Sequence, residues 1–288
     1  MTKGRVIKNY NGFYYVSMGK PDLVECRRRG KLKHAGRILV GDFVEVTLLT
    51  EMNGVIEQCY PRVNEIRRPE LANIDQMFII MAAKSPDPNR FLVDKLLMTC
   101  EYARIPVQLC LNKCELDRES ANAYRSFYET CGYKTHLISA HTGEGLADLE
   151  TVLDKKMSAF AGPSGVGKSS LLSRILGRDD LSVGHVSQKI QRGRHTTRHS
   201  VILPLKDDTF VVDTPGFSSL DFEFMEPREL IRLFPDMLPY SQGCRFSSCL
   251  HRTEPDCQLK EAVQAGLVQP ERYDTYLKIL ETILERKR

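Results

Sequence analysis

Residues 162–170 read GPSGVGKSS, a glycine-rich loop between two patterns of different period. Before it lies MSAFA, residues 157–161, a short apolar run of the kind that forms a buried strand. After it the sequence predicts an amphipathic helix from Lys168 to Leu176, with Gly177 placed to cap it. A strand, a glycine-rich loop and a helix in this order indicate a phosphate-binding loop within a parallel α/β sheet.

The residue types of this loop suit phosphate chemistry. Glycines let backbone N–H groups close around phosphate oxygens, and the N-terminus of the helix adds its dipole. Lys168 is expected to reach the β and γ phosphates, and the Ser169 hydroxyl to bind Mg²⁺. The predicted nucleotide-binding residues of the loop are Gly162, Pro163, Ser164, Gly165, Val166, Gly167, Lys168, Ser169 and Ser170.

A second apolar run, FVVDTPGF at 210–217, supplies further parts of such a site. It contains Asp213, which can hold Mg²⁺ through water, and Gly216, whose amide can sense the γ phosphate. The basic segment GRHTTRH lies between the two motifs, where a threonine that closes over Mg²⁺ and the γ phosphate is expected. We predict Thr197 for this role, with Thr196 as the alternate.

Base recognition is predicted for QLCLNKCELDRES, residues 108–120, which resembles the base-reading motif of guanine nucleotide-binding proteins. Its apolar run ends in Asn112, which can reach the purine N7, and Lys113, whose stem can cover the ring; Cys114 follows. Glu115 stands where an Asp usually pairs with guanine. The glutamate side chain keeps the carboxylate but is one methylene longer than that of Asp. We therefore expect a preference for guanine, with the base met at a shifted angle.

The segment SAHTGEG resembles the remaining loop on the base side of such sites. It begins at Ser139, and the backbone amide of Ala140 or a neighbour is expected to meet the base O6 atom. Both base segments precede the phosphate loop, so the order is base, base, phosphate, switch, switch. This is the order of a circularly permuted GTPase, in which a helix ending near Lys156 runs directly into the phosphate-loop strand.

The rest of the chain divides into three parts. Short β runs over residues 5–66 predict a small barrel of about five strands, followed by a connector, and strands alternate with helices after it. The fold class is therefore α/β, with an N-terminal OB-type β-barrel (1–68), a central circularly permuted P-loop GTPase domain (69–222) and a C-terminal, zinc-binding and mainly helical domain (223–288).

Four metal-ligating residues cluster in the C-terminal part. Cys244, Cys249, His251 and Cys257 have the spacing C-x4-C-x-H-x5-C within a segment rich in turn residues. Three thiolates and one imidazole suit tetrahedral Zn²⁺, and four protein ligands leave no open position for chemistry. We therefore predict a structural zinc site.

The composition of the 288-residue chain is that of an ordinary globular protein, with 42% hydrophobic and 27% charged residues. No uninterrupted apolar run reaches the roughly 20 residues that span a bilayer. The first residues lack the apolar core of a signal peptide, so we expect a cytoplasmic protein without a membrane partner. The formal net charge is only +4, but two basic runs, 25–37 and 189–199, favour a polyanionic partner.

Together the VGDFVEV strand of the barrel, the permuted motif order, GRHTT and the Cys-Cys-His-Cys segment resemble the ribosome small subunit-dependent GTPase A family (RsgA) of bacteria. The resemblance covers the whole chain, and the departure is Glu115. It implies a late-acting assembly factor that binds the 30S ribosomal subunit and its 16S rRNA, hydrolyses GTP to GDP when the subunit stimulates it, and leaves. We expect one structural Zn²⁺ per chain and Mg²⁺ with GTP, and a monomer, because a single-chain switch has no evident need for a dimer. The basic run at 27–37 of the barrel is the candidate rRNA contact.

Two other functions fit parts of the sequence. An ATP-using P-loop phosphotransferase has no need for Asn112 and Lys113. A nucleotide-gated RNA-binding module without useful turnover is favoured by Phe217, which stands where many GTPases carry a water-orienting Gln. A phenyl ring cannot position water by hydrogen bonding, so we expect slow hydrolysis by the free protein, with His195 and His199 as candidate helpers.

Overall fold

The structure is a computed structural model of the chain. It describes residues 1–19, 22–30, 36–67, 70–177, 201–206, 208–213 and 222–286, without the side chains of Arg67, Val201 and Asp213.

The N-terminal part is a closed barrel of five strands in the order β1-β2-β3-β5-β4. The strands are β1 (Thr2–Tyr10), β2 (Phe13–Ser17), β3 (Val24–Arg28), β4 (Phe43–Leu48) and β5 (Asn53–Cys59). Alternate residues point inward because successive side chains of a strand face opposite sides. The interior is filled by Val6, Val16, Val24, Cys26, Val44, Val46 and Ile56. This closure confirms the predicted OB-type barrel.

The segment expected to be a connector forms a short hairpin of β6 (Glu65–Arg67) and β7 (Glu70–Ala72). It joins the barrel to the central part by polar contacts as well as by the chain. Arg62 donates two hydrogen bonds to the buried Asp42 carboxylate, at 2.8 and 2.9 Å. The side-chain amide of Asn73 donates to the Gly41 carbonyl at 3.1 Å.

The central part is a six-stranded sheet in the order β10-β9-β8-β11-β13-β12. Its strands are β8 (Gln76–Ala82), β9 (Val107–Asn112), β10 (Thr135–Leu137), β11 (Met157–Ala161), β12 (Val201–Lys206) and β13 (Thr209–Asp213). All neighbours are parallel except β12 and β13, which form an antiparallel pair. The carboxyl ends of β8 to β11 and β13 therefore meet at one edge, where such sheets bind ligands.

Helices cover both faces of this sheet, in agreement with the predicted parallel α/β sheet in which strands alternate with helices. They are α1 (Arg90–Ala103), α2 (Arg118–Thr130), α3 (Leu146–Leu153) and α4 (Lys168–Ile175). Residues of β8 alternate between the two cores: Ile79 packs with α1 and α2, whereas Phe78 and Ile80 pack with α3 and α4. Phe78 also stacks on Phe160 of β11, with ring centroids 4.9 Å apart.

The C-terminal part is helical. It contains two 3-10 helices (Phe222–Phe224 and Pro227–Leu233), α5 (Leu238–Ser241), α6 (Gln258–Gln264) and α7 (Pro270–Arg286). Its core includes Met98 of α1, so it packs directly on the central domain. Among the residues that the structure describes, no helix combines the length and apolarity needed to cross a bilayer.

Candidate nucleotide site and metal centre

Three segments that lie far apart in sequence meet at the carboxyl edge of the sheet, and Asn112 joins them. Its amide nitrogen donates to the Val166 carbonyl of the phosphate loop at 2.8 Å. Its amide oxygen accepts from the Ala140 N–H at 3.0 Å. Asn112 is 1% exposed, so both bonds lie away from water. The phosphate loop and both predicted base segments therefore form one site.

The phosphate loop is shaped by two glycines that no other residue can replace without strain. Gly162 has φ +148°, and a Cβ there would lie against the Ile80 carbonyl. Gly167 has φ +93°, and a Cβ there would lie against the Asn112 amide nitrogen. Lys168 begins α4, and its ammonium donates to the carbonyls of Gly162 and Pro163 at 2.7 and 2.8 Å. The loop thus surrounds the Lys168 ammonium at the place where the sequence predicts that the nucleotide phosphates bind.

The remaining phosphate-loop residues lie around this enclosure. Val166 is buried in the core beneath the loop, with α3 and α4. Ser169, the predicted Mg²⁺ ligand, is half-buried on the first turn of α4. Ser164, Gly165 and Ser170 are exposed and open to a ligand.

Lys113 lies across the phosphate loop, as expected of a side chain whose stem covers a base. Its backbone is left-handed, with φ +61°. Its ammonium donates to the Gly165 carbonyl at 2.9 Å and to the Ser85 carbonyl. The base segment is therefore bound to the phosphate loop twice, through Asn112 to Val166 and through Lys113 to Gly165.

Charged groups surround the buried thiol of Cys114. Arg118 of α2 forms a bidentate pair with Glu144, at 2.7 and 2.5 Å, and the Arg118 guanidinium lowers the pKa of that carboxyl. Burial raises the pKa of Cys114, whose thiol donates to Glu144 at 3.6 Å. Glu115 is exposed beside this group. Arg118 is therefore engaged by Glu144, and Glu115 is accessible to solvent.

Residues 139–145, here called the base loop, are held by internal hydrogen bonds. The Ser139 side chain is fully buried and accepts from the Thr142 N–H at 2.9 Å. The Ser139 carbonyl accepts from the Gly143 N–H at 2.9 Å. Arg174 of α4 donates to the carbonyls of Ala140 and His141 at 3.1 and 2.7 Å. The loop is therefore fixed from inside and from the phosphate-loop helix.

The predicted switch residues are only partly placed. Asp213 ends β13, and its backbone pairs with Phe160 of β11 at the ligand edge of the sheet. Gly216 and Phe217 lie outside the described residues, as does the run 195–199 with both threonines and both histidines. Their roles stay predictions.

The four predicted metal ligands come together in the C-terminal part. The ligand atoms of Cys244, Cys249, His251 and Cys257 all lie within 4.8 Å of one another. The His251 Nδ1 atom is 3.4 Å from the Cys244 sulfur and 3.5 Å from the Cys257 sulfur. The sulfurs of Cys244 and Cys257 are 3.8 Å apart.

These separations fit one tetrahedral metal ion. Bond lengths to Zn²⁺ place two thiolates about 3.8 Å apart, and a thiolate and an imidazole nitrogen about 3.6 Å apart. Burial raises the pKa of Cys249 to about 12, so a thiolate there needs a compensating cation. The Tyr273 hydroxyl donates to the His251 carbonyl at 2.6 Å and fixes this loop to α7. The cluster can hold a metal ion and leaves no ligand position open.

Sequence reasoning missed two arginines of the nucleotide site. Arg118 and Arg174 bond to groups 26 and 34 residues away, and the sequence patterns gave neither side chain a role, although Arg118 lies within the base segment 108–120. Their positions became apparent only when α2 and α4 were placed on either side of the base loop.

Family models match most of the chain. The model described as RsgA GTPase matches residues 59–223, and the RsgA N-terminal domain matches residues 3–56. The small ribosomal subunit biogenesis GTPase RsgA of Alkaliphilus metalliredigens (strain QYMF) is 44% identical over 292 residues, covering 100% of both chains. Its namesake from Clostridium botulinum (strain 657) is 38% identical and covers 99% of both.

Two solved structures are similar over nearly the whole chain. YloQ, described as a circularly permuted GTPase, has a TM-score of 0.84 and 33% identity, covering 100% of this chain and 96% of its own. YjeQ from Thermotoga maritima has a TM-score of 0.84 and 32% identity, covering 98% of each chain. This likeness confirms the permuted fold predicted from the motif order.

Proposed function

The chain belongs to the RsgA GTPase family, and we propose that it hydrolyses GTP to GDP and phosphate on the small (30S) ribosomal subunit, late in the maturation of that subunit. The observation that carries the proposal is the position of Asn112. It joins the phosphate loop to the base loop, and so makes one nucleotide site from motifs in permuted order. The relatives named above supply the ribosomal partner.

The chain's own residues divide the work of binding and hydrolysis. The Lys168 ammonium leaves the carbonyls of Gly162 and Pro163 and donates to the β and γ phosphates instead. Ser169 and Thr197 would hold Mg²⁺ directly, and Asp213 would hold it through water. The Gly216 amide senses the γ phosphate. Mg²⁺, when bound with GTP, neutralises the charge that develops on the transferred phosphoryl group.

The base is held by the groups that meet beside the phosphate loop. Asn112 reaches the purine N7, Lys113 covers the ring, and Glu115 accepts from the guanine N1–H and 2-amino group. Cys114 lies behind them, and Ser139 and Ala140 form the wall opposite. Guanine is selected because its donors match an exposed carboxylate that Arg118 leaves unpaired.

The cysteine and histidine cluster holds one structural Zn²⁺ per chain. Its ligand separations suit this ion, and a closed donor set supplies stability and no reaction. Zinc would add to the hydrogen bonds from Tyr273 and Tyr276 that fix the loop between α5 and α6 to α7.

The barrel, within the proposed RNA-binding domain 1–68, contacts the 16S rRNA. Cations lie over aromatic rings of the barrel: among them, the Lys8 ammonium is 5.3 Å from the Tyr15 centroid, and the Arg27 guanidinium is 4.6 Å from the Phe13 centroid. Rings and cations together suit unpaired nucleotides, which stack and carry negative phosphates. The basic run 27–37 begins with Arg27 of this surface, and its residues 31–35 lie outside the described part.

Hydrolysis is timed by the subunit. Phe217 cannot orient water, so the free protein turns over slowly and a group supplied on the 30S subunit completes the site. The protein then acts as a cytoplasmic monomer that leaves after hydrolysis. The domains 69–222 and 223–288 carry the GTPase site and the zinc site.

Phosphate release from GTP and from ATP, each with and without purified 30S subunits at low salt, tests the proposal. We expect the subunits to accelerate GTP hydrolysis alone, and Lys168→Ala to abolish the acceleration. Equal turnover of ATP would favour the phosphotransferase function. Nucleotide-dependent binding to 30S without turnover would favour the RNA-binding module.

A further inference from the structure

Arg174 connects the phosphate-loop helix to the base loop. It lies on the exposed side of α4, whose Leu171, Leu172 and Ile175 are buried. Its guanidinium donates to two successive carbonyls, that of Ala140 at 3.1 Å and that of His141 at 2.7 Å. A planar, charged donor with several N–H groups suits such a pair of acceptors. Residues of α4 therefore fix both the phosphate loop and the base loop.

The two bonds also orient the backbone N–H of His141. Within the described part of the base loop, the neighbouring amides have acceptors: Ala140 donates to Asn112, and Thr142 donates to Ser139. The His141 N–H has no acceptor among the described residues. The peptide between Ala140 and His141 is planar and trans, so its C=O and N–H point in opposite directions. When Arg174 holds the Ala140 carbonyl on one side of this peptide, the His141 N–H points away from the opposite side of the peptide.

We propose that Arg174 is a positioning residue for base recognition, which aims the His141 N–H at the carbonyl oxygen on C6 of the purine. The inference rests on the proposed guanine nucleotide site and adds a residue to it. The oxygen on C6 is shared by guanine and hypoxanthine and is absent from adenine. The 2-amino group, which Glu115 is proposed to read, is present only in guanine.

These chemical differences separate a positioning role from a purely structural one. A helix-to-loop support that only stabilises the fold would lower the unfolding temperature and weaken every nucleotide alike. A residue that aims the His141 N–H affects GDP and inosine diphosphate (IDP) equally, because both carry the C6 oxygen. Removing such a residue leaves the ratio of the GDP affinity to the IDP affinity unchanged and has little effect on the ADP affinity.

The test is a titration of the full-length protein with GDP, IDP and ADP, for the wild type, Arg174→Ala and Arg174→Lys. We expect Arg174→Ala to weaken the binding of GDP and of IDP by about tenfold each, with the ADP affinity and the melting temperature unchanged. Arg174→Lys, which can still reach one carbonyl, should recover part of the loss. Arg125→Ala is the matched control, because it removes an exposed arginine whose partner, Glu129, lies on the same helix, and it should bind as the wild type does.

Other outcomes overturn the inference in distinguishable ways. Unchanged GDP affinity in Arg174→Ala, or equal weakening of ADP, contradicts the positioning role while the nucleotide site stands. A changed GDP to IDP ratio would place the effect at the 2-amino group instead. Wild-type protein that binds GDP no more tightly than ADP would overturn the guanine site and the inference with it.

Discussion

Replacing Arg272 by Met is expected to separate the C-terminal domain from α1. The Arg272 side chain is 0% exposed, and it lies 2.9 Å from an Asp94 oxygen and 3.0 Å from an Asp236 oxygen, with both carboxylates also buried. Methionine has a similar length but no charge, so two buried carboxylates would lose their cation. Breaking a buried ion pair from one side costs about 3–5 kcal/mol. At about 2–4 °C per kcal/mol, the midpoint of thermal unfolding should fall by about 6–20 °C.

The loss should depend on pH. Burial raises the pKa of Asp94, and the Arg272 charge opposes this rise. A carboxyl whose pKa is higher in the folded state binds more protons there, so its contribution to stability falls as the pH rises through that range. Without Arg272 the pKa of Asp94 in the folded state rises further. The pH range over which its contribution to stability falls therefore extends upward. The destabilisation by Arg272→Met should therefore be smaller at pH 5 than at pH 8.

Thermal unfolding with zinc and GDP held constant measures this effect. Arg286→Met, on the same helix, is the matched control: Arg286 and Glu223 are 61% and 39% exposed, and such pairs contribute less than about 1 kcal/mol. Adding Asp94→Asn to Arg272→Met should recover part of the loss, since it removes one unpaired charge. A loss no larger than that of Arg286→Met, or one independent of pH, would refute the reasoning.

Three further changes test the two sites. Gly167→Ala places a Cβ against the Asn112 amide and should weaken GDP binding by at least about tenfold in a fluorescence titration; undiminished affinity would contradict the contact. Cys249→Ser should lower bound Zn²⁺ well below one ion per chain in a colorimetric assay, whereas Cys59→Ser, outside the cluster, should retain it. Glu115→Gln should reduce the preference for GDP over IDP by about tenfold, and an unchanged preference would mean that its carboxylate does not meet the 2-amino group.

The nucleotide site was predictable because its signals are local. The phosphate loop, the strand before it and the helix after it lie within about twenty residues, and each has its own pattern of glycine or apolar residues. Parallel strands then bring Asn112 and Gly162 to one edge whatever their order in the chain. Permutation changes connectivity and leaves these local patterns intact, so the motifs predicted the site.

Strand β3 was harder to recognise. It occupies Val24–Arg28, at the start of a run that the sequence presents as basic. Only Val24 and Cys26 face the barrel interior, and the residues between and after them are charged. Two inward residues are too few to show an alternation, because the pattern is supplied by pairing with β2 and β5.

Arg272 shows a different limit. It falls on the stripe of α7 that also holds Tyr276, Ile279 and Ile283, all of them buried, and that spacing was the available signal. The guanidinium of an arginine on such a stripe usually reaches solvent, since a buried cation needs carboxylates or other acceptors around it. The partners are Asp94 and Asp236, distant in sequence, so burial followed only from packing α7 on α1.

The packing of the C-terminal domain on α1 bears on how the permuted order is used. Strand β13 ends at Asp213 and the next described helix begins at Phe222, so only residues 214–221 connect the sheet to the C-terminal domain. The DTPG motif leads into this connection, and the domain beyond it is anchored by Arg272 on the far side. The segment proposed to sense the γ phosphate is therefore attached at both ends to packed elements.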